Sequence, residues 1–400
     1  MGIKHIIVFY RAKEGSVYKL NGYILPMSIG GVGKNVVQNI DILKNNKISL
    51  VILGINKLVG EGFTLGINLI PMPLSINEIR ITDVINFLRG VLSKPPFKIE
   101  GLEKENTVVI LHGQFIQALL IKLLQPKLKV ILILEGTYKA LAWSVYINNP
   151  IWRFVYFLAS FFSISIVDKI MTDKDSLWLL RTKIKFLRNK TYFIPNSIDI
   201  NIFKPQGGKS YIEGISESDK LLLYIGRLDI EKLSCIPHKN PELLLHAFKQ
   251  VYEKNNSIKL LIIGIDYKIL EEFLDRYKVN KIRKGILCIS EIPNDDLPKY
   301  YRRADLTLLT SKCEGTPYVV LESLACGTPC VTTNVLDPEI VIKDGVNGYA
   351  CKTFNPKDFA ELIFKGLKLS SALKIKNQSL LNPMYLLERR RDNLLKILYS

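Results

Sequence analysis

Short apolar runs recur along this chain, separated by longer stretches of helical periodicity. Runs without a polar face build strands that are buried on both sides, as in a parallel sheet sandwiched between helices. In the first half they predict strands at His5–Tyr10, Ser49–Leu53, Thr107–Leu111, Lys129–Leu134, Lys169–Thr172 and Thr191–Ile194. The second half repeats the pattern at Lys220–Ile225, Ile258–Ile263, Ile286–Ile289, Leu306–Leu309, Pro329–Thr332 and Gly348–Ala350. Alternation of this kind, occurring twice within 400 residues, predicts two doubly wound α/β domains rather than one core.

The break is expected around residues 195–210, where Pro195-Asn196-Ser197 ends a strand and Lys204–Lys209 reads as an exposed linker. The expected domains are residues 1–203 and 204–380. A final segment, 381–400, holds a basic helix over about Pro383–Tyr399 with Arg389, Arg390 and Arg391, expected to pack back on the first domain.

Hydrophobic residues make up 48% and charged residues 23%, a globular balance without low-complexity sequence. The six cysteines all lie in the second half and form no pair of CxxC motifs, so a zinc site is not expected. They read as small reduced core residues, which points to a cytoplasmic chain. The run at residues 5–10 is followed at once by polar residues and reads as a first buried strand rather than a secretory leader.

A formal net charge of +18 favours polyanions. No RNA-binding signature, helix-turn-helix pattern or basic-aromatic ladder accompanies it, so nucleic acid is not expected as a partner. Scattered solvated lysine and contact with an anionic membrane surface both remain open. Residues 151–166, IWRFVYFLASFFSISI, are apolar all round a helix, yet Arg153 and Asp168 bound too few uncharged residues for a span. The segment is either a buried helix of the first domain or an aromatic face on the cytoplasmic side of a membrane.

The chemistry concentrates in residues 311–331, SKCEGTPYVVLESLACGTPCV. A buried strand, a tight turn at Gly315-Thr316-Pro317 and a helix closed by Gly327-Thr328-Pro329 leave a helix N-terminus at a βα turn. Free N–H groups at such a turn favour an anion, and a diphosphate is a natural guest. Glu314 lies before the turn and Glu322 about a turn inside the helix, so two carboxylates flank the anion position. One acid could bind sugar hydroxyls and the other a ribose diol. Taken on spacing alone, Glu322 reads equally as a dipole partner and Glu314 as an exposed loop acid.

Other signals are weaker. Ser28–Asn35 lacks the Gly and the Ser or Thr that a Walker A loop needs at its ends, and reads as a glycine-rich turn where Gly30 and Gly31 admit a diphosphate or an acceptor. Asp173-Lys-Asp175 follows a strand and reads as a helix cap rather than a metal motif. His112, at a strand end before Gly113, is a candidate for the acceptor side or a structural residue.

Glu314-Gly-Thr-Pro-Tyr-Val-Val-Leu-Glu322, followed by Ser-Leu-Ala-Cys-Gly-Thr-Pro, resembles the E-x7-E signature of the group 1 (family 4) glycosyltransferases. Tyr224-Ile-Gly-Arg-Leu-Asp-Ile-Glu-Lys232 is similar to that family's G-R-L-x-x-x-K stretch, and Lys239-Asn-Pro-Glu to the helix start that follows it. Asn294–Asp305, Pro338–Val341, Asp344–Gly348 and Ile194–Asp199 extend the likeness. It is closest over 220–355 and looser over 23–55 and 105–205.

The resemblance implies the GT-B fold, two Rossmann-like domains facing a central cleft, with the acceptor on the first domain and the nucleotide sugar on the second. It implies a retaining, metal-independent transfer of a hexose-type sugar from a nucleotide-diphosphate sugar to a lipid-linked or glycan acceptor, with no cofactor. Glu314, Arg227 and Lys232 would be catalytic, and Glu322, Gly315, Thr316, Pro317, Tyr318, Val319, Lys239, Gly30 and Gly31 would bind the donor. An insertion, Leu233–His238, splits the lysine's role: Lys232 keeps the spacing from Arg227, and Lys239 keeps the helix context. The family's histidine after strand 129–134 is replaced by Glu135, which joins His112 on the acceptor side. An epimerase or phosphorylase on the same fold, or a non-catalytic binding partner, are the competing readings.

Overall fold

A computed structural model of the chain describes residues 5–11, 18–20, 23–25, 31–45, 47–53, 68–72, 107–134, 150–172, 180, 184–226, 239–312, 314, 316–334, 341–373 and 379–400. The chain forms two compact units, Met1–Pro195 with Arg391–Ser400, and Asn196–Arg390.

The first unit contains β1 (His5–Arg11), a short antiparallel pair β2 (Tyr18–Leu20) and β3 (Tyr23–Leu25), then α1 (Gly31–Ile42), β4 (Lys47–Leu53) and β5 (Asn68–Met72). β6 (Thr107–His112), α2 (Phe115–Leu124), β7 (Lys129–Leu134), α3 (Pro150–Ile166), β8 (Lys169–Thr172) and β9 (Thr191–Phe193) follow. The main sheet is parallel with strand order β5-β4-β1-β6-β7-β8-β9. Its apolar strands serve two cores at once: along β7, Ile131 and Ile133 face one core, and Val130, Leu132 and Leu134 face the other. α1 fills the first core with Val36, Val37 and Ile40, and α2 fills the second with Phe115, Ala118 and Ile121.

The second unit runs β10 (Lys220–Ile225), α4 (Pro241–Lys254), β11 (Ile258–Ile263), α5 (Tyr267–Arg276), β12 (Ile286–Ile289), α6 (Leu297–Arg303) and β13 (Leu306–Leu309). It continues through α7 (Tyr318–Ala325), β14 (Cys330–Thr333), β15 (Gly348–Cys351) and α8 (Pro356–Leu373). The last helix, α9 (Leu387–Tyr399), starts in the second unit and ends in the first. The sheet order is β12-β11-β10-β13-β14-β15, all parallel. This is the strand order of a dinucleotide-binding fold, which reverses direction between its first and fourth strands, here β10 and β13. Leu222 and Tyr224 of β10 face α4, α5 and α8, whereas Leu221 and Leu223 face α6 and α7.

The unit boundaries differ from those expected. Residues 196–203 lie in the second unit, where Ile198 and Phe203 are buried in its core. Lys204–Gly208 is exposed, but Arg302 holds it by donating to Gly208 O at 2.9 Å and Lys204 O at 3.1 Å. The segment 381–400 divides between units, because Leu381 and Tyr385 fill a core of the second unit while Leu394, Ile397 and Leu398 fill one of the first. Lys129 Nζ donates to Leu398 O at 2.7 Å and Lys169 Nζ to Ile397 O at 2.5 Å, so two strand lysines grip the carbonyl end of α9.

Candidate functional site

At the reversal point the helices after β10 and β13 depart to opposite faces: α4 packs in one core of the unit and α7 in the other. In doubly wound sheets the carboxyl ends of the two strands at such a reversal are where ligands bind. Glu314 lies five residues past the end of β13.

Three residues fix Glu314. Lys239 Nζ lies 2.6 Å from its Oε1, and Ser311 Oγ donates to the same oxygen at 2.6 Å. Thr310, the first residue past β13, donates its Oγ1 to Lys239 O at 2.9 Å and so holds the lysine backbone against the strand end. Ser311 is held in turn by Thr333 Oγ1, which donates to Ser311 O at 2.5 Å. Lys239 arrives there through a local device: Asn240 takes a left-handed conformation (φ 49°) and caps α4 by accepting from Leu243 N–H, and Pro241 occupies the first helical position. The pair is partly open to solvent, with side-chain accessibilities of 27% for Lys239 and 15% for Glu314.

α7 begins beside this pair. Asn196 Nδ2 donates to Thr316 O at 2.5 Å, bracing the turn, and Pro317 sits at the cap position. The first backbone bonds of the helix run from Val320 N and Leu321 N to Pro317 O. Earlier amides in any helix have no intrahelical acceptor, so the N–H groups of Tyr318 and Val319 belong to the positive helix end. The Tyr318 side chain is buried and that of Val319 half-buried, both in the core.

Glu322 has a different setting. The residue is 1% accessible, and its Oε2 accepts a hydrogen bond from Tyr301 OH at 2.7 Å. Burial, and then the Glu322 carboxylate, push the Tyr301 phenol well above its ordinary pKa, so it remains a donor. Beside Glu322, Ser323 Oγ links Thr307 Oγ1 at 2.7 Å and Thr328 O at 2.9 Å, tying α7 to β13. Glu322 therefore stands behind the helix start as part of a buried polar cluster.

Thr310, Ser311, Asn196, Tyr301 and Thr333 were not singled out from the sequence. The Ser311–Glu314 spacing of three was visible, but nothing in it distinguishes a turn hydroxyl from a solvated one. Tyr224, within the quoted Tyr224–Lys232 stretch, is buried at the end of β10, and burial followed by the Glu314 carboxylate raises its phenol pKa. In the first unit, His112 is buried at the carboxyl end of β6, beside the reversal between β1 and β6, and precedes Gly113 (φ 75°). Gly31 opens α1. Arg227, Lys232, Gly30, Gly315, Glu135, Asp173-Lys-Asp175, Cys235, Cys313 and Pro338–Ile340 lie outside the described residues. Cys288, Cys326, Cys330 and Cys351 are buried free thiols.

Residues 209–379 match the family model described as glycosyl transferases group 1. Among curated proteins, the D-inositol 3-phosphate glycosyltransferase of Thermobifida fusca (strain YX) is 28% identical over 182 residues, covering 42% of this chain and 39% of that protein. The UDP-Gal:alpha-D-GlcNAc-diphosphoundecaprenol alpha-1,3-galactosyltransferase of Escherichia coli is 26% identical over 168 residues, 40% of this chain and 41% of that protein. The chain thus spans about two fifths of the length of these curated relatives. Among solved structures, Anabaena Alr3699/HepE in complex with UDP and glucose superposes with a TM-score of 0.63 at 12% identity, covering 99% of this chain and 100% of that one. The fold is GT-B, as expected: two α/β domains with parallel sheets.

Proposed function

We propose that this chain, whose residues 209–379 are those of a group 1 glycosyl transferase, moves a hexose-type sugar from a nucleoside-diphosphate sugar to an acceptor hydroxyl with retention at the anomeric carbon. The observation that carries the reading is the Lys239–Glu314 pair at the fold's reversal point, beside the N-terminus of α7. A cation and a helix end converge on one place, which suits a diphosphate, and a carboxylate lies within reach of the sugar it bears.

In the reaction the bond between the anomeric carbon and the diphosphate oxygen breaks, and its electron pair leaves with the diphosphate. The acceptor oxygen forms the new bond, and its proton passes to the departing diphosphate. Lys239 and the positive N-terminal end of α7 lower the barrier by stabilising negative charge as it grows on the leaving group, without calling on a metal. Glu314 orients the sugar by accepting from its hydroxyls. Lys239 takes the phosphate role in this reading because its Nζ reaches Glu314, and Arg227 would add a bidentate contact.

The Anabaena protein, solved with UDP and glucose, supports a uridine nucleotide as the first donor to try. The Escherichia coli relative, whose name includes a diphosphoundecaprenol, supports a lipid-linked acceptor. A thermal-shift panel of UDP, GDP, ADP and their sugars tests the donor reading, since a cognate ligand stabilises the fold by mass action. One nucleotide series should raise Tm while the others leave it unchanged, and labelled sugar should transfer without added phosphate. No stabilisation by any of these ligands would overturn the reading.

A further inference from the structure

Helix α3 buries one face and leaves the other bare. Ala159, Ser160, Ser163 and Ile164 are buried, whereas Phe154, Val155, Leu158, Phe161 and Phe162 are exposed. At a turn of 100° per residue those five side chains form one stripe about 120° wide. Phe154 is 61% accessible and Phe162 52%, values unusual for phenylalanine in a stripe of this length.

A further exposed aromatic side chain lies on an adjoining element. The 3-10 turn Lys185–Lys190 is fastened to the end of α3 by Lys190 Nζ, which donates to Ser165 O at 2.7 Å and Val167 O at 2.8 Å. This turn presents Phe186, 61% accessible, between exposed Lys185 and Arg188. Charge on these elements themselves has one sign. α2, α3 and the turn contain no Asp or Glu; Lys185 and Arg188 are exposed, whereas the Lys122 side chain is 9% accessible and Lys190 Nζ is held by the two carbonyls. The nearby acid Asp168 is engaged by Lys122 Nζ at 3.0 Å and by Val130 N–H at 2.7 Å.

We propose that this face of α3, with the turn at its end, docks on an anionic lipid bilayer, the helix lying parallel to the membrane plane. An apolar aromatic stripe with a basic border matches an interfacial helix, whose rings enter the headgroup boundary while lysine and arginine meet lipid phosphates. Among the described residues no helix is long and apolar enough to cross a membrane. A protein partner would have to cover five apolar side chains and also supply acids throughout the rim, whereas an anionic bilayer offers both at once. The surface uses none of the residues assigned to sugar transfer, so it extends the lipid-linked reading to the whole molecule on independent grounds.

Vesicle sedimentation of the full chain tests this. Phosphatidylcholine vesicles with about 30% phosphatidylglycerol should pull down the protein at ~0.1 M salt, and pure phosphatidylcholine should retain far less. The double variant Phe161→Ser/Phe162→Ser and the charge variant Lys185→Glu/Arg188→Glu should each lower the bound fraction about tenfold. Melting curves establish that each variant is folded, and UDP-induced stabilisation in the same samples reads the donor site separately. Wild-type protein left in the supernatant, or equal binding by folded variants of both kinds, overturns the proposal. So does a dimer in light scattering that the phenylalanine variant dissociates, since the stripe would then belong to a second copy.

Discussion

Lys239 Nζ sits 2.6 Å from Glu314 Oε1 although 75 residues separate the two in sequence. The pair is made by the sheet: Lys239 precedes the helix after β10, Glu314 follows β13, and these strands are neighbours. It brings the cation and the acid of the proposed transfer into one contact.

Glu314→Gln should reduce turnover about a hundredfold or more, because the neutral amide binds sugar hydroxyls poorly and its N–H faces the wrong partners. Nucleoside diphosphate affinity should hold or rise, since Lys239 is no longer neutralised. Lys239→Met should lower both. Steady-state kinetics with isothermal titration separate the cases, and equal loss of diphosphate affinity in both variants would contradict these roles.

Tyr301→Phe removes the donor facing a buried carboxylate and should cost about 1–3 kcal/mol of stability. Urea unfolding of Tyr301→Phe, Glu322→Gln and the double variant measures the coupling. Additive losses would mean that the 2.7 Å contact contributes nothing specific.

Gly348→Ala should be among the most damaging single-methyl changes in the second unit. A Cβ at Gly348 would lie 2.0 Å from Cys330 O, a backbone atom in the paired strand, so β14 and β15 would have to separate. A loss of about 3 kcal/mol or more, or insoluble expression, is expected. A melting temperature within a degree or two of wild type would show that the edge strand yields freely.

Thiol labelling at pH 8 should spare Cys326 and Cys330. Burial pushes both thiols up to about 12. The reactive thiolate then amounts to about one part in ten thousand at that pH, and rises only as pH approaches the raised value. Peptide mapping after iodoacetamide should find these two sites modified only once the chain is unfolded. Labelling in the native state would mean that the core of the second unit opens locally.

The strands were legible because a buried parallel strand is an uninterrupted apolar run: β7, β8, β10, β11, β12 and β13 have the limits read from sequence. β5 escaped notice because Pro71 interrupts it. It is tolerated there because the strand lies at the sheet edge. The three-residue strands β2 and β3 are too short to carry a period. Helix α3 was ambiguous for a physical reason, since its sequence is apolar on all sides and only the fold decides which side is covered. At the site, Glu314, the helix start and the two candidate lysines could be named from motif and context. The contacts of Glu314 with Lys239, and of Glu322 with Tyr301, could not, because each joins elements that meet only after the sheet has assembled.

The grip of Lys129 and Lys169 on α9 has a consequence for the order of events during synthesis. The core shared by Ile6, Val8 and Val36 also needs Leu394, Ile397 and Leu398. The ribosome therefore makes the first unit first, yet that unit can be completed only after the whole of the second has been translated. The second unit is one uninterrupted stretch, free to fold while the earlier half still waits for its last piece. A fragment cut at residue 195 should behave as an unfinished protein, whereas one spanning 196–390 has all of its own core.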